Sequence, residues 1–139
     1  MTQEEEEIAQ INLAFYHAFE SLDIKEMEKV WLKESHIRCV HPGWALLTGW
    51  EDVITSWRKI FENTQEMRFH LTDIKIHVRG SLAWLTLYEN ITSRVEGESV
   101  MGVILTTNIF EKQQGKWGMI HHHGAQTMAP PAEPPATVH

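Results

Sequence analysis

The chain changes its hydrophobic period once, just after Phe61. Before that point apolar residues recur about every 3.6 residues, the period of a helix; beyond Arg68 they alternate, the period of a strand. Ile8, Ile11, Phe15, Ala18, Phe19 and Leu22 make one helical stripe, with Tyr16 and His17 beside it. An acidic run at residues 4–7 falls at the start of that helix, where negative charge meets the positive end of its dipole. Asp23 then caps a short second helix over residues 24–32, with Glu26 in the supporting position and Met27, Val30 and Trp31 inward. Residues 36–41 read as a strand, ended by the turn Pro42-Gly43. Thr48-Gly49-Trp50-Glu51 has the form of a capping box, and Val53, Ile54, Trp57, Ile60 and Phe61 give a third helix its apolar face.

The second half is all strands. Ile74, Ile76 and Val78 share one face and Asp73, Lys75, His77 and Arg79 the other; Phe69 and Leu71 are out of phase, which predicts a bulge or bend. Turns at Gly80-Ser81, Gly97 and residues 113–116 separate three further strands. The first carries Trp84, Thr86, Tyr88 and Asn90 on one face. The second carries Ile104, Thr106, Asn108 and Phe110 on one face and the apolar Val103, Leu105 and Ile109 on the other. The last runs over residues 117–126. Helices first and meandering strands afterwards predict an α+β fold: three helices packed on a strongly curved, mainly antiparallel sheet, a cone with an internal cavity. Residues 1–127 form the single domain, and 128–139, with four of the five prolines, are expected to be a disordered tail.

Composition narrows the function. A chain of 139 residues with net charge −7 and no cluster of Lys or Arg is not expected to bind nucleic acid. No apolar run approaches the length of a membrane span and no secretory leader is evident, so a cytoplasmic protein without membrane partners is expected. Cys39 is the sole cysteine and excludes an intrachain disulfide. Its setting predicts a small buried hydrophobe rather than a nucleophile. Six Trp and nine His are the unusual counts.

Those residues supply the candidate chemistry. Alternation puts Ile37, Cys39 and His41 on one strand face, so an imidazole stands at the lip of a tight turn, where it could serve as acid, base or ligand anchor. The bland alternative is a turn histidine bonded to nearby backbone. Trp44, Trp57, Trp84 and Tyr88, with Tyr16, are candidates to line a ligand cavity, or else plain core. His121 and His123 share a strand face and are candidate ligand contacts. With His41 they could form a three-histidine metal site, but no fourth ligand is placed, so no metal and no cofactor is assigned. Glu89 alternates away from Tyr88 and receives no catalytic role.

The element order, the Phe15-Tyr16…Asp23 spacing, His41-Pro42-Gly43-Trp44, Ser56-Trp57…Ile60-Phe61 and Trp117…His121-His122-His123 resemble the nuclear transport factor 2-like superfamily, in particular its SnoaL-like members. The resemblance covers residues 4–126 and implies a homodimer through the outer sheet face. It implies a fold more than an activity, since isomerases, dehydratases, cyclases and non-catalytic modules share it. Ketosteroid isomerases of this superfamily place an aspartate base where His41 stands, before Pro42. Their oxyanion donors correspond to Phe15, with Tyr16 next door, and to Asn108. All three positions differ, so steroid isomerisation is not implied. His41 with Asn108 remains a usable base and polariser. The end of the chain also resembles the association domain of calcium/calmodulin-dependent protein kinase II, but His121-His122-His123-Gly124-Ala125 lacks that group's arginine. Two expectations stand: an acid/base enzyme acting on a small, largely apolar molecule, or a non-catalytic ligand-binding or oligomerisation module.

Overall fold

In the computed structural model, which describes residues 1–128, three helices cover one side of a six-stranded sheet. The expected Pro-rich tail lies, beyond Met128, outside the described residues. Helix α1 spans Gln3–Ser21 and opens on a capping box: the Thr2 hydroxyl accepts from the Glu5 amide and the Glu5 carboxylate from the Thr2 amide. Its inward face is Ile8, Asn12, Phe15, Tyr16, Ala18 and Phe19, so the stripe includes Tyr16 and one polar residue. Helix α2 is Ile24–Val30, capped by Asp23, whose carboxylate accepts from the amides of Lys25 and Glu26 at 3.1 and 3.2 Å. It stops short of Leu32 because Trp31 is extended and bridges Met119 in the sheet.

Strand β1 is Arg38–Val40, the middle of the expected segment. Thr48 does not cap the next helix. It belongs to a two-residue strand β2, Leu47–Thr48, paired antiparallel with β1. The N-cap of α3, Trp50–Glu62, is Gly49 at φ 88°, without a side-chain cap bond. Pairing with β1 draws Thr48 into the ladder, and glycine supplies the left-handed turn that follows. The face that α3 buries holds Val53, Ile54, Ser56, Trp57 and Phe61.

Four long strands complete the sheet: β3 Glu66–Arg79, β4 Leu82–Val95, β5 Glu98–Gln113 and β6 Lys116–Gln126. The order is β2-β1-β6-β5-β4-β3, antiparallel except for the parallel pair β1–β6, and the sheet is an open cone. The expected bulge in β3 falls between Thr72 and Lys75, with Asp73 at φ 55°. A second bulge, between Ile109 and Phe110 of β5, sets Phe110 opposite Met119 and Ile109 opposite His121. Turns of two left-handed residues, Glu96-Gly97 and Gln114-Gly115, match the twist of the strands they join. Phe15, Trp57, Phe110 and Met119, none of them exposed, sit where helices meet sheet.

The Asp23 carboxylate satisfies two amides that would otherwise be unpaired at the start of α2. Asp23→Ala is expected to cost about 1 kcal/mol, read as a lower urea midpoint with an unchanged slope.

Candidate functional site

Histidine 41 is fixed by the turn that ends β1. The Trp44 amide donates to the His41 carbonyl at 2.8 Å, with Pro42 and Gly43 (φ 83°) between them. These are the residues that a tight turn with a left-handed second corner favours. The imidazole is 3% exposed and its Nε2 lies 2.9 Å from Ser56 Oγ, while that hydroxyl donates to the Val53 carbonyl at 2.6 Å. Since the serine hydrogen is used on Val53, Nε2–H donates to Ser56, and Nδ1 keeps its lone pair. The indoles of Trp44 and Trp57 stand edge-on to the ring at 4.8 and 4.6 Å. Burial pushes the His41 pKa down to about 4, so the ring is neutral. His41 is therefore tied to a side chain of α3 rather than to backbone.

Asparagine 108 is fully buried and joins three elements. His122 Nδ1 lies 2.7 Å from its Oδ1 and serves as donor there. Its Nδ2 donates to Asn12 Oδ1 at 3.0 Å and lies 3.5 Å from Tyr16 Oη. Burial lowers the His122 pKa well below its ordinary value, with the neighbouring histidines adding to that shift. The His122 and His41 rings are 6.4 Å apart, with Phe15 and Trp57 packed against His122 at 4.9 and 5.7 Å.

Tyrosine 16 continues the cluster by donating its hydroxyl to Glu89. Burial raises the Glu89 carboxyl pKa to about 7; the Tyr16 and Thr106 hydroxyls, both turned toward it, offset part of the rise. Burial first, then the Glu89 charge, raises the tyrosine pKa well above its ordinary value. Thr106 Oγ1 is buried and close enough to lower the pKa of both Glu89 and Tyr16, although neither contact reaches full hydrogen-bonding geometry. Cys39, fully buried with its thiol pKa raised by burial, is the small core residue expected; its Sγ comes within 3.6 Å of His41 Nε2.

Of the expected site residues, His41, Asn108, Tyr16 and Trp57 meet inside, with Trp44, 44% exposed, over His41. Trp84, Tyr88, His121 and His123 do not join them. Trp84 is on the outer face, stacked on His77 at 5.4 Å, and Tyr88 shares its phase. His121 and His123 face outward with rings 6.2 Å apart, so the three-histidine arrangement with His41 does not form. Among the described residues no group of three His, Cys, Asp or Glu is placed to hold a metal. None of their helices is long and apolar enough to cross a membrane.

A SnoaL-like domain model matches residues 8–129. The chain belongs to the SnoaL-like domain family. A crystal structure of a proposed dehydratase of the nuclear transport factor 2-like family from Streptomyces avermitilis is 32% identical, with a TM-score of 0.85 over 91% of this chain and 97% of that one. A proposed calcium/calmodulin-dependent protein kinase type II association domain from Thiobacillus denitrificans is 25% identical, with a TM-score of 0.76 over 85% and 93%. F-box protein SKIP8 of Arabidopsis thaliana is 29% identical over 118 residues, 85% of this chain and 48% of that protein. The chain thus spans about half the length of that curated relative.

The SnoaL-like interior contains two residues that alternation within single strands had turned away, Glu89 and His122. Turn geometry recovers the first. A two-residue turn at Glu96-Gly97 sets Asn108 opposite Leu85 and Ile104 opposite Glu89, so Asn108 and Glu89 share a face. It cannot recover the second. Carried on from Gln113 opposite Lys116, the register would place His121 opposite Asn108; the bulge places His122 there instead.

Glu89 gives a pH prediction. Its carboxyl titrates near 4.5 when unfolded and about 7 when folded, so the folded chain binds more protons between these values and stability falls as pH rises through that window. Glu89→Gln is expected to gain on wild type by about 3 kcal/mol between pH 4.5 and 7, measured by urea unfolding at several pH values. His41 works the other way: its lowered pKa makes stability fall as pH drops from 6.5 to about 4, equally in both chains.

Proposed function

We propose that this chain binds a small, largely apolar molecule against the inner face of its sheet and moves a proton on it. His41 is the base and Asn108 the polarising donor. The observation that carries this is the neutral His41 ring between two indoles, its Nε2 held by Ser56 and its Nδ1 keeping a lone pair that only the Cys39 thiol approaches, at 4.0 Å. One Asn108 amide hydrogen is engaged by Asn12; the other has only the 3.5 Å contact with Tyr16 and is available to an oxygen on which charge develops. Proton removal next to a carbonyl is the step that isomerases, dehydratases and cyclases can share, and the Streptomyces relative, a proposed dehydratase, supports that class.

The test needs no natural substrate. Incubated in D2O with cyclohexanone, 2-cyclohexenone and 2-tetralone, the wild-type chain is expected to exchange α-hydrogens faster than buffer, as read by NMR. His41→Ala, with its circular dichroism unchanged, is expected to lose about a hundredfold of that rate. Exchange no faster than buffer sinks the proton-transfer reading. Binding of these ketones without exchange favours the non-catalytic module.

Assembly belongs to the same proposal. The outer face carries Leu82, Trp84 and Leu105, exposed by 42, 36 and 43%, an apolar surface that a second copy would cover. Native mass spectrometry is expected to find twice the chain's 16.1 kDa, and Leu105→Glu to return it to a monomer.

A further inference from the structure

The register that turns His122 inward leaves His121 and His123 on the outer face, and there they meet an arginine. Arg38, exposed on β1, pairs directly with His121 across the parallel ladder, and Val40 pairs with His123. The three side chains therefore stand on one face of two neighbouring strands, about 4.8 Å apart, with the two rings 6.2 Å from each other. Burial lowers the His121 pKa first, and the charges of His123 and Arg38 lower it further, so Arg38 is close enough to act on that ring. Each of the other arginines has a partner: Arg58 has Glu28, Arg68 and Arg94 share Glu66, and Arg79 donates to the Val78 carbonyl. Among the described residues Arg38 has neither an ion pair nor a side-chain hydrogen bond. The carboxylate nearest in register on this face is Glu111, two residues beyond Ile109 on β5, and it is engaged by His36 at 3.2 Å and by Gln113 at 2.7 Å. A chain of net charge −7 thus gathers one guanidinium and two imidazoles on one patch with no carboxylate bonded to any of them.

We propose that Arg38, His121 and His123 form a binding site for a tetrahedral oxyanion, a phosphate or sulfate group, on the outer face of the sheet. A guanidinium matches two oxygens of such a group with its fixed fork of donors, and each imidazole adds a ring N–H from the β6 side. A metal ion is the wrong occupant, because one held by the two imidazoles would lie beside an unpaired guanidinium. An anion has the opposite effect and relieves the part of the His121 shift that comes from like charge. Arg38 and His123 are exposed and His121 is half-buried, so the group is reached from solvent. Val40, opposite His123, and Ile109, opposite His121, are half-buried and give the organic part of an ester apolar surface to lie on. The cluster is two strands away from Trp84, toward the β1 side of the face, and it rests neither on the dimer nor on proton transfer at His41. Binding is coupled to proton uptake. The charged or titratable groups that face His121 are Arg38 from β1, His123 on its own strand and, farther along, the His36–Glu111 pair. A bound dianion favours the charged form of His121, so affinity rises as pH falls.

The experiment follows the histidine ring C–H resonances of the full chain by NMR while sodium sulfate replaces sodium chloride at constant ionic strength. Sulfate stays a dianion over the whole range, so the titration reports the protein alone. The His121 and His123 resonances, assigned by their loss in His121→Ala and His123→Ala, are expected to shift saturably, and the His121 titration to move to higher pH. Affinity is expected to rise several-fold between about pH 7.5 and about pH 5.5. Arg38→Ala, at an exposed position, is expected to weaken sulfate binding about tenfold, and Arg79→Ala, an exposed arginine at the end of β3, to leave it unchanged. Inorganic phosphate and phenyl phosphate, compared at one pH, separate the sources of the group: equal affinity assigns the site to the free ion, and tighter binding of the ester assigns it to a phosphorylated organic molecule. Histidine resonances that do not respond to sulfate overturn the proposal. So does an affinity that falls equally in Arg38→Ala and Arg79→Ala, which would reduce the effect to the chain's net charge.

Discussion

Polar groups sealed inside an aromatic interior must find their partners there, and in this chain that demand converges on Asn108. The residue is fully buried on β5, and its carboxamide joins His122 of β6 through the oxygen and Asn12 of α1 through the nitrogen. Loss of either partner would leave a buried donor or acceptor unsatisfied, a larger cost than the net gain of making the bond. The position of α1 on the sheet, the side of β6 that faces inward and the tautomer of His122 are therefore set together. The rings of Phe15 and Trp57, packed on the same histidine, exclude the water that could otherwise take over those bonds.

The same exclusion of water explains why titratable residues can lie so close without charge. His41, His122, Tyr16 and Glu89 each lose more by desolvation than they gain from neighbours, so each is pushed toward its neutral form. Between about pH 4 and 7 the interior therefore holds an uncharged imidazole near one wall and an uncharged carboxyl near another. The surface behaves differently: its ion pairs, such as Lys29 with Glu26, are between exposed side chains and contribute little.

Much of the architecture was legible in the chain. The 3.6-residue stripes in α1 and α3, the Asp23 cap and the change to alternation after Phe61 led to three helices followed by a meander, because each depends on neighbours within a few residues. The out-of-phase Phe69 and Leu71 located the β3 bulge. Short-range signals misled where a long-range pairing overruled them. Thr48 has every local attribute of an N-cap, yet the ladder with Arg38 takes it into β2, and Gly49 stands in its place. Trp84 and Tyr88 make a more conspicuous row than Ala83, Leu85 and Leu87, yet the small aliphatic row faces the helices.

What the sequence by itself determined was where the three helices and the four long strands lie, and that His41, closed in by Pro42 and Gly43, ends a strand beside the core. Those outcomes follow from periodicity, turn chemistry and backbone restriction, all local. Only the tertiary structure decided which face of each strand looks inward. Register is a property of a pair of strands, and one inserted residue reverses it. The bulge beside Ile109 exchanges His121 and His123 for His122, and pairing across β3, β4 and β5 puts Glu89 beneath Tyr16. The buried carboxyl and the histidine that holds Asn108 were thus hidden in a single strand read alone, because their place is fixed by hydrogen bonds to residues far away in the chain.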